Sequence, residues 1–449
     1  MSPMPSRDER RAAGAAARAR VPPAAHAAWQ PAPDRPDPVT LLEEQATTRI
    51  PGLVPIRHGR MAVSPFTYYR GAALPMAADL ATTVSSGIVV QLCGDAHLSN
   101  FGLFASPERD LVFDVNDFDE TLHGPFEWDV KRLAASLVAA GRTRGFDEPG
   151  VQHAVHRTVA AYRTRMAEYA GMRAMDVYYS RVDVAGILAF VDKRARPFLQ
   201  ATVKSAHHHD ALHELPKLTE VDADGRRRIV DHPPLITHRP EVTTEVTAAA
   251  LAGYRDSIAE DRRVLFDRYE LVDAALKVVG VGSVGLGAFA VLLLGGDEDD
   301  PLFLQVKQAE ASVLERYLSP STQPSHGARV VAGQRRLQAA SDVLLGWTVG
   351  AQGRHWYVRQ LQDQKGGAVV EAMTPDDLAT WGELCGWALA RGHARSGHPA
   401  EIAGYLGSDK AFDHAIGDFA AAYADQNERD HAAFVAAIKA GRVAAESGV

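Results

Sequence analysis

The sequence predicts an α+β fold in two parts, a large, mainly helical lobe and a smaller β-rich one. Three observations lead there. The chain has 449 residues, more than one ordinary core holds, so it divides into lobes with a large buried interior. Helical periodicity covers long stretches, as in 127–138, where Trp128, Leu133, Leu137 and Val138 form an apolar stripe. Short apolar runs bounded by turn residues cluster between Lys277 and Leu361, as strands do.

The first forty residues are rich in Ala, Arg and Pro and carry Asp8, Glu9 and Asp34. That composition predicts a disordered tail over 1–40 and no signal peptide. The large lobe is expected over 41–270. It opens with a short helix at 41–48, and Ser64 before Pro65 caps a helix at about 67–83. A strand at 88–92 leads to Asp95 and another at 111–115 leads to Asp117, with turn residues Ser106-Pro107-Glu108-Arg109-Asp110 between them. Helices are expected at 151–169 and 182–198. A polar stretch over 206–240, with a hairpin about Asp222-Ala223-Asp224-Gly225, precedes a helix at 243–269.

The β-rich lobe is expected over 271–370. Glycine-rich 277–287 runs into an apolar segment at 288–294, the acidic turn Gly295-Gly296-Asp297-Glu298-Asp299-Asp300, and a strand at 302–307. Seven apolar residues are too few for the crossover helix of a dinucleotide-binding fold, so two strands joined by a turn are predicted. A helix at 329–345 and a hairpin of 347–351 with 355–361 follow. Helices over 371–449, starting with 375–395, complete the large lobe.

A formal charge of −8 and a pI near 6.1 leave no electrostatic footprint for nucleic acid. No apolar run reaches the length of a membrane span, so no membrane partner is expected. Cys93 and Cys385 are the only cysteines, which argues against a disulfide framework and for a reducing, cytoplasmic setting.

The chemistry concentrates in Gly94-Asp95-Ala96-His97-Leu98-Ser99-Asn100-Phe101-Gly102 and Asn116-Asp117-Phe118-Asp119-Glu120. This pair resembles a phosphotransferase site. In kinases an Asp accepts the proton of the attacking hydroxyl, an Asn five positions on holds Mg²⁺, and a second Asp holds the nucleotide-bound metal. Asp95 and Asn100 have that offset, and Asp117 is the preferred second ligand, with Asp114 and Asp119 as rivals. Gly280, Gly282, Ser283 and Gly285 fit a G-x-G-x-x-G loop over phosphates, and Lys307 on the next strand fits the phosphate-contacting lysine.

Ser64-Pro65-Phe66, Tyr69-Arg70-Gly71, Cys93-Gly94-Asp95-Ala96-His97-Leu98, Gly124-Pro125-Phe126-Glu127-Trp128-Asp129, Lys131-Arg132-Leu133 and Tyr423-Ala424-Asp425-Gln426 resemble a bacterial family catalogued as a domain of unknown function (DUF 2252). That family in turn resembles the aminoglycoside-phosphotransferase branch of the protein-kinase-like fold. The resemblance implies a two-lobed kinase-like fold, circularly permuted because the catalytic and metal loops precede the glycine loop. It implies ATP and Mg²⁺ as cofactors and a small-molecule substrate. Asp95 is the implied catalytic base, Asn100 and Asp117 the metal ligands, and Asp129 a buried brace for the catalytic loop. Cys93 stands where that loop has a His, and no Glu on the 329–345 helix can pair with Lys307. Glu310, Glu315 and Gln334 are the candidates for that pairing.

Alternatives stand beside each assignment. Arg57, Arg60 and Arg70 suit a clamp on a phosphorylated substrate or ion pairs with nearby carboxylates. His97, with Asp95, Asp114 and Asp117, also fits a two-metal phosphoesterase, although no later Gly-Asn-His run exists. A nucleotide-binding module without turnover and a nucleotidyl transferase are further options. His207-His208-His209 with Asp210 and His213 is expected to be a solvated loop.

Overall fold

A computed structural model describes residues 4–191, 196–207, 211–297, 300–361, 364–367 and 369–448. The first half runs α1 (Arg7–Arg20), α2 (Pro38–Ala46), α3 (Val54–Ala62), α4 (Pro65–Gly71), α5 (Ala73–Leu80), β1 (Val89–Leu92), β2 (Phe101–Ala105), β3 (Leu111–Val115), β4 (Leu122–Pro125), α6 (Phe126–Thr143) and α7 (Glu148–Gly171). A middle section holds α8 (Ala174–Tyr179), α9 (Val184–Phe190), α10 (Arg196–His207), α11 (Ala211–Leu218), β5 (Thr219–Val221), β6 (Arg227–Ile229), β7 (Ile236–Thr237), α12 (Thr244–Arg255) and α13 (Glu260–Phe266). The last section holds β8 (Glu270–Lys277), β9 (Ala288–Leu294), β10 (Pro301–Gln308), α14 (His326–Leu337), β11 (Gly346–Val349), β12 (His355–Gln360), α15 (Pro375–Ser396), α16 (Pro399–Leu406) and α17 (Ala411–Lys439). The fold is mixed α+β with small sheets.

Six strands form one antiparallel sheet in the order β11-β12-β10-β9-β8-β7. β9 is apolar throughout because both faces of the sheet are covered. Val291 and Leu293 pack with Leu251, Tyr254 and Phe266 of α12 and α13, while Ala290 and Leu292 face Leu215, Leu218 and Ile229. Alternate residues of a strand point to opposite faces, so two cores need two apolar sets. The covering elements and β7 lie before residue 271, so the sheet unit starts earlier than the expected 270/271 border. The predicted 243–269 helix is interrupted at 256–259, dividing it into α12 and α13.

The largest core joins α6, α7, α15 and α17 through Leu133, Leu137, Val155, Tyr162, Trp381, Leu384 and Phe419. Two short antiparallel pairs, β1 with β4 and β2 with β3, add Val90, Leu92, Phe101, Leu103, Phe113 and Val115 to it. Ser64 Oγ accepts the Thr67 amide at 3.1 Å, the expected cap, but the helix it starts breaks at Ala72 (φ −107°, ψ 40°) before α5 begins. The helix predicted at 329–345 ends at Leu337, because Gln338 is already extended.

Of the tail expected to be disordered over 1–40, residues 7–20 instead form α1 and 38–40 open α2, while 1–3 lie outside the described residues. Ser6 and Glu9 close a capping box on α1, and Gly14 lets α1 lie directly on α16, since a Cβ there would stand 1.9 Å from the Glu401 carbonyl oxygen. Arg18 Nη1 donates to the Tyr405 and Leu406 carbonyls at 2.9 and 2.6 Å, satisfying the open C-terminal end of α16. Small residues that read as disorder in sequence here permit close helix contact. Of the His207–Asp210 run, residues 208–210 lie outside the described residues, as do 298 and 299 of the acidic turn.

Candidate active site

β1 ends at Leu92, and the chain turns at Gly94, whose φ is +86°. A Cβ there would meet the Glu120 carbonyl oxygen at 2.1 Å, so glycine is required for the two acidic loops to touch. Asp129, at the start of α6, accepts the amides of Cys93 at 2.8 Å and Gly94 at 3.0 Å. His393 of α15 reaches the same carboxylate at 3.2 Å and is held in turn by the Tyr162 hydroxyl at 2.8 Å. Tyr162, His393 and Asp129 therefore brace the loop from behind, while Cys93 is a buried free thiol.

Asp95 faces a cleft. Arg132, one turn beyond Asp129 on α6, donates Nε to Asp95 Oδ1 at 2.9 Å and stacks its guanidinium 3.9 Å from the Tyr69 ring centroid. Burial raises the Asp95 carboxyl above the usual range although Arg132 opposes the shift. His97 Nε2 lies 3.8 Å from Asp95 Oδ2. Burial, with Arg70 and Arg132 nearby, holds the His97 imidazole well below its ordinary pKa and hence neutral. Asn100 Nδ2 donates to the Asp95 carbonyl at 2.9 Å, and the Asn116 amide donates to the Asn100 carbonyl at 2.8 Å. The two motif loops are thus stitched together.

Asp117 and Asp119 lie beyond the end of β3, in the turn before β4. The Asp119 amide donates to Asp117 Oδ1 at 3.2 Å. One face of the six-stranded sheet grips this turn. Lys307 on β10 ion-pairs with Asp119, 188 residues away in sequence, and its cross-strand neighbour Tyr357 donates to Asp119 Oδ1 at 2.9 Å. Arg359, two residues along β12 on that face, donates to the Asn116 carbonyl at 2.8 Å. Burial works to raise Asp119, but the Lys307 ammonium outweighs it and holds the carboxyl below the usual range. Burial and the adjacent Asp119 leave Asp117 raised. Lys307 is raised because Asp117 and Asp119 overcome its burial.

Lys307 therefore pairs with Asp119 and not with Glu310, Glu315 or Gln334. Glu310 accepts from Gln308 Nε2, Glu315 lies 3.7 Å from Arg329 Nε, and Gln334 donates to Gln338 at 2.9 Å. Arg329 of α14 holds the acidic turn by donating to the carbonyls of Thr121 at 2.6 Å and Asp119 at 2.7 Å. Asp114 is not at the site. It has no exposed surface and binds Arg391 Nη2 at 2.6 Å and the Ala339 amide at 2.9 Å.

The cleft is open to solvent. Asp95, His97, Asn100, Asp117 and Asp119 line it, together with Gly280, Gly282 and Ser283 of the glycine loop, called the roof below, and Arg57 and Arg70, called the arginine wall. Gly285 and Arg60 act on the roof from outside: the Ile50 amide donates to the Gly285 carbonyl at 2.8 Å and Arg60 Nη1 to the Gly280 carbonyl at 2.6 Å. Sequence reasoning missed Gln45, Arg49 and Glu120, which also line the cleft, together with Arg132, His393 and Tyr357. Glu120 accepts the Val313 amide at 2.7 Å, and burial pushes its carboxyl up to about 7. Arg132 was readable, since three residues from Asp129 places it on the same helix face; Arg49 carried no signal.

Among the described residues, no group of three or more His, Cys, Asp or Glu side chains is arranged to hold a metal, and no helix is long and apolar enough to cross a membrane. No curated protein and no solved structure matches the chain. A family model described as an uncharacterized protein conserved in bacteria (DUF2252) matches residues 49–437. That match spans the braced loop, the acidic turn, the glycine roof and Lys307, and the chain accordingly belongs to this bacterial family.

Proposed function

We propose that the cleft binds Mg-ATP and transfers a phosphoryl group to a small-molecule acceptor, within a kinase-like architecture whose lobe order is circularly permuted. One observation carries this reading. The glycine loop, Asp95, Asn100 and Asp117 line one cleft, and Lys307 from a distant strand is paired with the same acidic turn. Nothing in the linear order of the chain requires that meeting, and kinases bring a phosphate-contacting lysine and a metal-binding Asp into one cleft.

The donor set suits the implied cofactor. Asp117 and Asp119 are adjacent carboxylates, one of them raised by the other, so a cation bound there relieves their repulsion. Asn100 and Asp117 supply two oxygen donors, as many as Mg²⁺ asks of a protein when phosphates and waters complete its shell. When bound, Mg-ATP supplies the transferable group and neutralises its developing charge. Asp95, fixed by Arg132, orients the acceptor hydroxyl and receives its proton, and the Asp129 brace keeps the loop in place. Positioning and electrostatic stabilisation supply most of the rate. The two-metal phosphoesterase alternative loses support, because Asp114 is committed to Arg391.

The test is calorimetric titration of Mg-ATP into wild type and Asp117→Ala, with ADP release assayed alongside. Wild type binds, Asp117→Ala binds at least about tenfold more weakly, and Asp95→Asn keeps binding while losing turnover. Failure of wild type to bind nucleotide refutes the proposal. Binding without turnover against any hydroxyl or amine acceptor tried would favour a non-catalytic nucleotide module.

A further inference from the structure

We propose that Arg49, Arg57 and Arg70 form a second anion seat in the cleft, which receives a phosphate ester dianion carried by the acceptor; this rests on reading the cleft as a phosphoryl-transfer site. The three arginines come from the segment around α3 and α4, apart from the sheet face that presents Lys307. All three line the cleft.

Arg57 has no exposed surface. Its Nη2 donates to Gln45 Oε1 at 2.8 Å and to the Gly71 carbonyl at 2.9 Å, while Nε and Nη1 are buried without a partner. Arg49 uses Nη1 on the Val284 carbonyl at 2.5 Å, and its Nε is likewise buried and unpartnered. Arg70 Nε is a third such donor. Among the described residues none of the three forms a salt bridge, in contrast to Arg132 and Lys307, each closed on a carboxylate.

Buried guanidinium groups without a counter-anion are costly, and unpaired buried donors are rare in native proteins. Burial and the neighbouring Arg49 accordingly depress the proton affinity of Arg57. A phosphate ester relieves both costs, because its oxygens match guanidinium donors and it brings an anion into contact, whereas Glu120, Asp119 and Asp95 act on these arginines only from beyond salt-bridge distance. The seat adjoins the proposed base, since Arg70 and Asp95 line the same cleft. An acceptor anchored by its phosphate on the arginines would present its hydroxyl to Asp95.

The experiment titrates inorganic phosphate into the full chain, alone and saturated with Mg-AMPPNP, a non-hydrolysable ATP analogue that fills the nucleotide's own phosphate positions. Phosphate should bind in both states. Arg70→Gln, which loses no hydrogen bond within the fold, should bind phosphate about tenfold or more weakly while keeping its melting temperature and Mg-AMPPNP affinity. Arg49→Gln should weaken phosphate in the same sense. Absence of phosphate binding, or unchanged binding in both variants, overturns the seat. Mutual displacement of phosphate and Mg-AMPPNP also overturns it and assigns the arginines to the nucleotide. Arginine-dependent phosphate binding with no nucleotide binding keeps the seat and removes the phosphotransfer reading.

Discussion

Asp129→Ala should be among the most destabilising single changes at the site, for reasons that can be counted. Its carboxylate accepts the Cys93 amide at 2.8 Å, the Gly94 amide at 3.0 Å and the His393 ring at 3.2 Å. Water does not replace the bonds to Cys93 and His393, because Asp129, Cys93 and His393 are buried, while Gly94 is half-buried. Leaving a buried donor unsatisfied costs about 1–3 kcal/mol. His393 keeps the Tyr162 hydroxyl, so the two amides dominate, and the loss should be about 2–6 kcal/mol. That is a large share of a typical stability of about 5–15 kcal/mol. Asp129→Asn is nearly isosteric and retains one acceptor oxygen but turns an NH₂ group towards the second partner, so about 2 kcal/mol is expected. Urea unfolding gives both values from shifts in midpoint at constant slope. Amide hydrogen exchange should show faster exchange at both Cys93 and Gly94 in Asp129→Ala. An Asp129→Ala variant within about 1 kcal/mol of wild type would refute the brace, as would unchanged exchange at both amides.

Three further outcomes are expected. Lys307→Met breaks a buried pair and should cost about 3–5 kcal/mol at neutral pH. Asp119 titrates below its ordinary value when folded, so its contribution is full above about pH 4 and lost as pH falls through the folded value. The urea-midpoint gap between Lys307→Met and wild type should therefore close in acid; a gap constant with pH would contradict the pairing. Glu120 has the opposite sign. Its carboxyl is raised from 4.5 to about 7, so its contribution is full below the lower value and lost as pH rises through the upper one. Melting temperatures at pH 5 and pH 8 should show Glu120→Gln gaining on wild type at the higher pH, and equal differences would remove Glu120 from that role. Gly14→Leu should lift α1 from α16, because its Cβ would stand 1.9 Å from the Glu401 carbonyl oxygen; trypsin should then cut among Arg7, Arg10, Arg11, Arg18 and Arg20, and unchanged resistance would show that α1 is held otherwise.

The strands leading to Asp95 and Asp117 were legible because an apolar run followed by an acidic turn is a local pattern. The hairpin of β9 and β10 was legible for the same reason: the run 288–294 was too short for a helix and bounded by glycines. What failed was non-local. The order of residues 7–20 depends on Gly14 meeting α16 at Glu401, and no window of sequence contains both partners. Lys307 was matched against Glu310, Glu315 and Gln334, all near it in the chain, whereas Asp119, its partner, arrives through the packing of β10 against the turn after β3. The Asp129 brace was implied by family resemblance, but its support by His393 depends on α15 crossing behind α6. The breaks at Ala72 and at 256–259 went unseen because apolar periodicity continues through both.

The glycine roof is fastened to the segment around α3 at three points. Arg60 holds the Gly280 carbonyl, Arg49 the Val284 carbonyl, and the Ile50 amide the Gly285 carbonyl. A roof tied in this way cannot lift alone; it must break those bonds or carry the arginine wall with it. Whatever occupies the space beneath the glycines and whatever occupies the arginine wall thus draw on one free energy of opening. If the two proposed ligands both bind there, linkage requires that each change the affinity of the other by the same factor.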